Sequence, residues 1–133
     1  MDQEMQQVMQ LVNENPFIKM LNIEVTGLEP GRGQSCLEIT VSPRHLNPQG
    51  TLHGGVLSSM ADIAMGVAIR TLGKVGVTVN LHTNFLAPGR LGDRVVARGK
   101  VVHDGNTLVA TECTVTCGED VLARATGLWF VIK

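Results

Sequence analysis

The sequence predicts an α+β fold in which an antiparallel β-sheet curls around one long α-helix. Three observations point there. Residues 54–72 form a nearly continuous apolar stretch, too long for a strand. The segments that follow alternate apolar and polar side chains between short turns, the pattern of antiparallel strands. No internal repeat or low-complexity linker divides the 133 residues, so helix and strands share one domain, residues 1–133. A helix apolar on nearly all sides needs cover, and a curled sheet supplies it.

The elements follow in order. Residues 1–20 form an N-terminal helical segment. Over 2–14, Met5, Val8, Met9 and Val12 share one helical face, and Asn15-Pro16 ends the helix. Residues 17–21 add a helical turn, and 23–28 suit a strand. Glu29-Pro30-Gly31-Arg32-Gly33 is a turn. In the strand 35–41, Cys36 and Glu38 lie opposite Leu37 and Ile39. Residues 42–52, rich in Pro, Asn and Gly, form a loop before the long helix, which Gly73–Gly76 closes. In 77–86, Val77, Val79, Leu81, Thr83 and Phe85 alternate with Thr78, Asn80, His82 and Asn84. A turn over 88–93 leads to a strand over 94–102 and a hairpin signal, His103-Asp104-Gly105-Asn106. Strands over 107–117 and 121–132 complete an antiparallel meander.

Composition narrows the function. With 11 basic and 12 acidic residues the net charge is −1, so there is no electrostatic footprint for nucleic acid or an anionic membrane. Aromatic residues make up 3% and Tyr is absent, which disfavours a base-stacking surface. The opening MDQEMQQVMQ lacks the charged and apolar regions of a secretory leader. No apolar run reaches the roughly 20 residues of a membrane span. Cys113 and Cys117 would share a strand face about 13 Å apart, beyond disulfide reach. Three reduced, buried thiols and a cytoplasmic location are therefore expected. Without an HExxH or CxxC pair, no metal site is expected.

Asp62 is the one ionisable side chain between Gly54 and Ile69. A lone carboxylate in apolar surroundings is costly to bury, and no Lys or Arg lies one helical turn away. Ser58 is its nearest local hydrogen-bond partner. At the other end of the helix stand His53, Gly54 and Gly55. The first N–H groups of a helix have no internal partners and favour a developing anion, and glycine lets a carbonyl approach closely. That is what an oxyanion hole requires. His53 can polarise the same carbonyl or hold the loop, Asn47 can orient a water or the loop, and Asp62 can act as base or nucleophile. His45, His82 and His103 read as structural. Gly54 and Asp62 are about 12 Å apart along the axis, so one carbonyl cannot meet both. A site using both therefore needs the glycine turn of one subunit and the Asp of another, at least a homodimer.

The pattern Asn47-x-x-Gly50-x-x-His53-Gly54-Gly55, followed by Asp62, resembles the hotdog-fold acyl-CoA thioesterases, most closely the PaaI-type group of phenylacetate degradation. The segment Gly76 to Pro88 is similar to that family's central strand. The resemblance covers most of the chain from Phe17. It implies the hotdog fold, dimers paired into a homotetramer, and hydrolysis of an acyl-CoA to a carboxylic acid and free CoA, with no cofactor beyond the CoA of the substrate. It implies that Asp62 is the catalytic carboxylate and that Gly54 donates the oxyanion-hole N–H. His53 and Gly55 then shape the turn, Asn47 is the active-site loop residue, and Thr78 places water or substrate. Two alternatives stand beside it: a hotdog enoyl-CoA hydratase/dehydratase and a non-catalytic acyl-CoA-binding module.

Overall fold

The computed structural model describes residues 3–29 and 32–132. Asp2 of the expected first helix and Pro30 and Gly31 of the expected first turn lie outside the described residues. The elements are α1 (Gln3–Asn13), α2 (Pro16–Met20), β1 (Glu24–Glu29), β2 (Gln34–Thr40), α3 (Gly54–Arg70), β3 (Gly76–Phe85), β4 (Arg94–Asp104), β5 (Leu108–Cys117) and β6 (Asp120–Val131). The strands form one antiparallel sheet in the order β1-β2-β4-β5-β6-β3. This is the expected α+β architecture, a sheet laid around α3.

The pairing is not a simple meander. β3 and β4 are consecutive in the chain, yet β3 pairs with β6 at one edge and β4 lies between β2 and β5. The connecting loop is anchored elsewhere. Leu86 and Ala87 donate to the Leu122 carbonyl, Leu52 donates to that of Gly89, and Val41 donates to that of Asp93. Those bonds lead the chain from the β6 side across to β2. Only a tight two- to five-residue connection forces neighbours in sequence to pair.

The core lies between α3 and the sheet. Met60, Ala61, Ala64, Met65, Ala68 and Ile69 of the helix are fully buried, as are Leu37, Val95, Ala97, Val109 and Val115 of the strands. Each large side chain of this set contributes about 1.5–3 kcal/mol of burial. The helix rests directly on β4. A Cβ at Gly99 would run into the Ala64 carbonyl, so only glycine allows this approach. Ser35 donates to the same carbonyl at 2.5 Å from β2. Trp129 packs its ring against Gly66 and donates from Nε1 to Thr111 Oγ1 at 2.9 Å.

The expected all-round wrapping of α3 is incomplete. Gly55 is exposed, and Ser58, Ser59, Asp62, Gly66 and Arg70 are half-buried. At helical spacing they form one stripe of small and polar residues. Asp62 is therefore not sunk in the core.

The alternation expected for 77–86 also breaks. Thr78 pairs with Trp129 and Asn80 with Leu128, so Val79 is an extra residue, a β-bulge. Directly paired residues point to the same face. Thr78 stands beside Trp129, and Leu81, Thr83 and Phe85 stand beside Gly127, Ala125 and Ala123, all on the helix side. The bulge brings Thr78 onto the face of the odd-numbered residues that the sequence set against it.

Candidate active site

The bulge decides what meets the open stripe of α3. Thr78 donates from Oγ1 to Asp62 Oδ1 at 2.6 Å. The partner of Asp62 is thus a strand hydroxyl 16 residues away, not Ser58. Ser58 instead donates to Thr83 Oγ1 at 3.3 Å. Near the start of α3, the Phe85 ring lies about 3.3 Å from where a Gly54 Cβ would stand. Three contacts, Gly54 with Phe85, Ser58 with Thr83 and Asp62 with Thr78, form a seam between α3 and β3. One carboxylate oxygen of Asp62 is fixed by Thr78. Among the described residues, the other oxygen accepts no hydrogen bond.

The turn before α3 is ordered by its own side chains. His53 is the N-cap, and its Nδ1 accepts the Gly55 N–H at 2.8 Å. The ring proton is therefore on Nε2. Its carbonyl accepts the N–H groups of Val56 and Leu57. The Gly54 N–H belongs to the same peptide unit and points the opposite way, with no hydrogen-bond partner among the described residues. Of the two glycines, only Gly54 offers a free donor at the positive end of the helix.

Asn47 is committed to its loop. Its Oδ1 accepts the N–H groups of Gln49 and Thr51 at 3.1 and 3.0 Å, and its Nδ2 donates to Thr51 Oγ1 at 2.9 Å. Of the two roles open to it from sequence, orienting the loop is the one its contacts fill. With Leu52, Gly54, Leu57, Phe85 and Pro88 it lines an open cleft of about 390 Å³. The structure thus brings Asn47, His53, Gly54 and Gly55 together at one end of α3, and Asp62 and Thr78 two turns further on. Phe85 and Thr83 were not singled out as site residues in the sequence, and Ser58 was read there only as a local partner of Asp62. The bulge that puts Thr78 on the same face as Thr83 and Phe85 leaves no mark in the residue types.

Burial pushes the Cys113 thiol up to about 12. Cys117 is also raised, by burial and by Asp93 and Asp120. All three cysteines are free. Among the described residues, no group of three or more His, Cys, Asp or Glu side chains is arranged to hold a metal ion, and no helix is long and apolar enough to cross a membrane.

A carboxylate held by a strand hydroxyl lies two turns along a long helix from the glycine turn that opens it, and the helix packs on an antiparallel sheet. Comparison with known proteins carries this to a family. Residues 49–124, more than half of the chain, match the family model described as the Thioesterase superfamily, and the chain belongs to that family. Human acyl-coenzyme A thioesterase 13 is 26% identical over 118 residues, 87% of this chain and 84% of that one. The Escherichia coli PaaI protein of the phenylacetic acid degradation operon superposes with a TM-score of 0.90 at 25% identity, covering 98% of this chain and 94% of that one. A Streptococcus pneumoniae protein described as a hypothetical thioesterase, solved with coenzyme A, superposes with a TM-score of 0.78 at 30% identity, covering 84% and 89%. The same pneumococcal protein has been solved with an aspartate and with a threonine, 16 positions apart, each replaced by alanine. The chain is a thioester hydrolase with the PaaI-type hotdog fold.

Proposed function

We propose that this enzyme hydrolyses acyl-CoA thioesters, aryl or fatty, to a carboxylic acid and free CoA at a site shared by two copies of the chain. The observation that carries the proposal is the Asp62–Thr78 pair, held on the open face of α3 along the unpaired edge of the sheet. The free Gly54 amide lies about 12 Å away along the same helix. The relatives supply the substrate class: one is named an acyl-CoA thioesterase, and another was solved with coenzyme A. The pneumococcal Asp and Thr replacements stand at the separation of Asp62 and Thr78, which supports treating these two as a working pair.

In this reading the Gly54 amide of one copy binds the thioester oxygen, and His53 and Gly55 hold the turn that presents it. Asn47 keeps the loop in place. Asp62 of the second copy takes the proton of a water while that water attacks the carbonyl carbon, and Thr78 fixes the carboxylate and helps to place the water. The tetrahedral oxyanion is stabilised by the Gly54 N–H. The C–S bond breaks, the CoA sulfur leaves as thiolate, and Asp62 returns the proton to it. A direct attack by Asp62 would instead pass through an acyl anhydride; in single-turnover hydrolysis in ¹⁸O-water, label in the Asp62 carboxylate marks that route, whereas the general-base route labels the product acid alone. The reaction runs on groups of the two chains and water, in the cytoplasm. The active unit is a homodimer formed through β3, paired into a homotetramer.

Thiol release from a panel of aryl-, short- and long-chain acyl-CoAs tests the activity. Asp62→Asn is expected to lower kcat by about 10³-fold with the fold intact by circular dichroism. Undiminished turnover in Asp62→Asn overturns the proposal. Hydration of an enoyl-CoA without thiol release would place the chain with the hydratases instead.

A further inference from the structure

We infer that His45 is a positioning residue for the Gly54 amide, a role resting on the oxyanion-hole reading above. His45 is fully buried, yet every polar atom of its ring is used. Nδ1 accepts the Ser42 N–H at 3.0 Å, so the ring proton is on Nε2, which donates to the Leu21 carbonyl at 2.6 Å. Leu21 caps the C-terminal end of α2. The ring therefore pins the short 3₁₀ turn Pro43–His45 to the N-terminal helical segment.

The backbone of the same residue passes that fix onward. The His45 carbonyl accepts the His53 N–H at 2.8 Å. One residue further in, the Leu46–Leu52 bridge and the Asn47–Thr51 bonds close the intervening loop. His53 is thus held on both sides: its N–H by His45, its carbonyl by the first turn of α3. The carbonyl bonds hold the His53–Gly54 peptide directly, and the N–H bond holds the peptide before it, so together they limit rotation about His53 and direct the Gly54 N–H. The path runs from the Leu21 carbonyl through the His45 ring and carbonyl to His53 and then Gly54. Among the described residues, one other side chain, that of Arg44, hydrogen-bonds α2 to this turn. Arg44 donates to the Met20 carbonyl at 2.9 Å from the exposed side.

A donor displaced by a fraction of an ångström still lets substrate bind but stabilises the tetrahedral oxygen less well. Loss of His45 should therefore appear in kcat and spare KM. The two conservative replacements separate the two ring contacts. Gln extends its amide towards the Leu21 carbonyl, whereas Asn reaches only the Ser42 side.

The experiment measures thioester hydrolysis and the Gly54 and His53 amide resonances by NMR in His45→Ala, His45→Gln and His45→Asn. Arg44→Ala serves as a docking control, and Val115→Ala, in the distant core, as a control for general destabilisation. We expect kcat about 30-fold lower in His45→Ala and His45→Asn with KM within about twofold, and recovery to within about threefold of wild type in His45→Gln. The two controls are expected to keep kcat, and the Gly54 resonance to move only in the Ala and Asn variants. An unmoved Gly54 resonance in His45→Ala overturns the inference whether or not the chain hydrolyses acyl-CoA. So does a kcat loss no larger than that of Val115→Ala at equal loss of Tm. Full activity in Asp62→Asn would strike the catalytic reading itself and leave the NMR outcome to decide the role of His45 on the turn.

Discussion

The two edges of the sheet are unlike. β1 spans six residues, begins and ends in glutamate, and is fastened to α1 by the Val25 N–H, which Asn13 Oδ1 accepts at 2.9 Å. β3 spans ten residues with no Lys, Arg, Asp, Glu or Pro, and Val77, Val79 and Phe85 are about half-exposed. Both carry a bulge, so bulging does not distinguish them. Length, charge and cover do. Short, charged or covered edges resist pairing, while a long apolar open edge invites another strand. Asp62 and Thr78 stand along the inviting edge. The part of the chain least finished on its own is also the part that holds half of the proposed chemistry.

The largest effect is expected from charging that edge. Val77→Lys combined with Val79→Lys should convert the proposed dimer to a monomer by light scattering and lower kcat at least about 100-fold, since the two halves of the site separate. Thr26→Lys, on the exposed side of β1, should change neither. A fully active monomer would show that one chain suffices.

Next in size is Thr78→Ala, which frees the Asp62 carboxylate without altering the edge. A fall in kcat of about 10- to 100-fold is expected, with Thr78→Ser retaining most activity because the donated hydrogen bond survives. Equal losses in both would mean that the methyl group, not the hydroxyl, is what matters.

The smallest effect belongs to the protected middle of the sheet. Cys113 ionises near 9 in the unfolded chain, but its folded value is raised to about 12. Between those values the folded state keeps the proton and the unfolded state loses it, so stability falls as pH rises. At pH 10 the loss is expected to be about 1 kcal/mol. Denaturant titrations at pH 8 and 10 should show a shallower decline in Cys113→Ala. An identical decline would assign the effect to other groups.

Much of the fold was legible because its two signals are local. An apolar stretch as long as α3 cannot be a strand, and the alternation in β2, β5 and β6 survives in the burial of Leu37, Ile39, Val109, Val115 and Ala123. The strand order was not legible, because the bonds holding the loop after β3 come from Val41, Leu52 and Leu122, residues distant in sequence. Asp62 stood out at once, but its partner did not. A search one helical turn away reaches Ser58, whereas Thr78 arrives from another element through a bulge. The resemblance named Gly54 rather than Gly55 as the donor, and the structure adds what the residue types do not show, that the His53 side chain takes the Gly55 N–H.

The extra residue at Val79 has a consequence for how β3 can change over generations. A strand with one bulge carries two phases, and everything beyond the irregularity is counted from it. Exchanging one side chain in β3 alters one contact. Adding or removing one residue between Thr78 and Phe85 would turn the whole remaining segment over, sending Thr83 and Phe85 outward and their neighbours in. The length of this short stretch is therefore held more tightly than its spelling, and descendants of this enzyme have more freedom to rewrite β3 than to resize it.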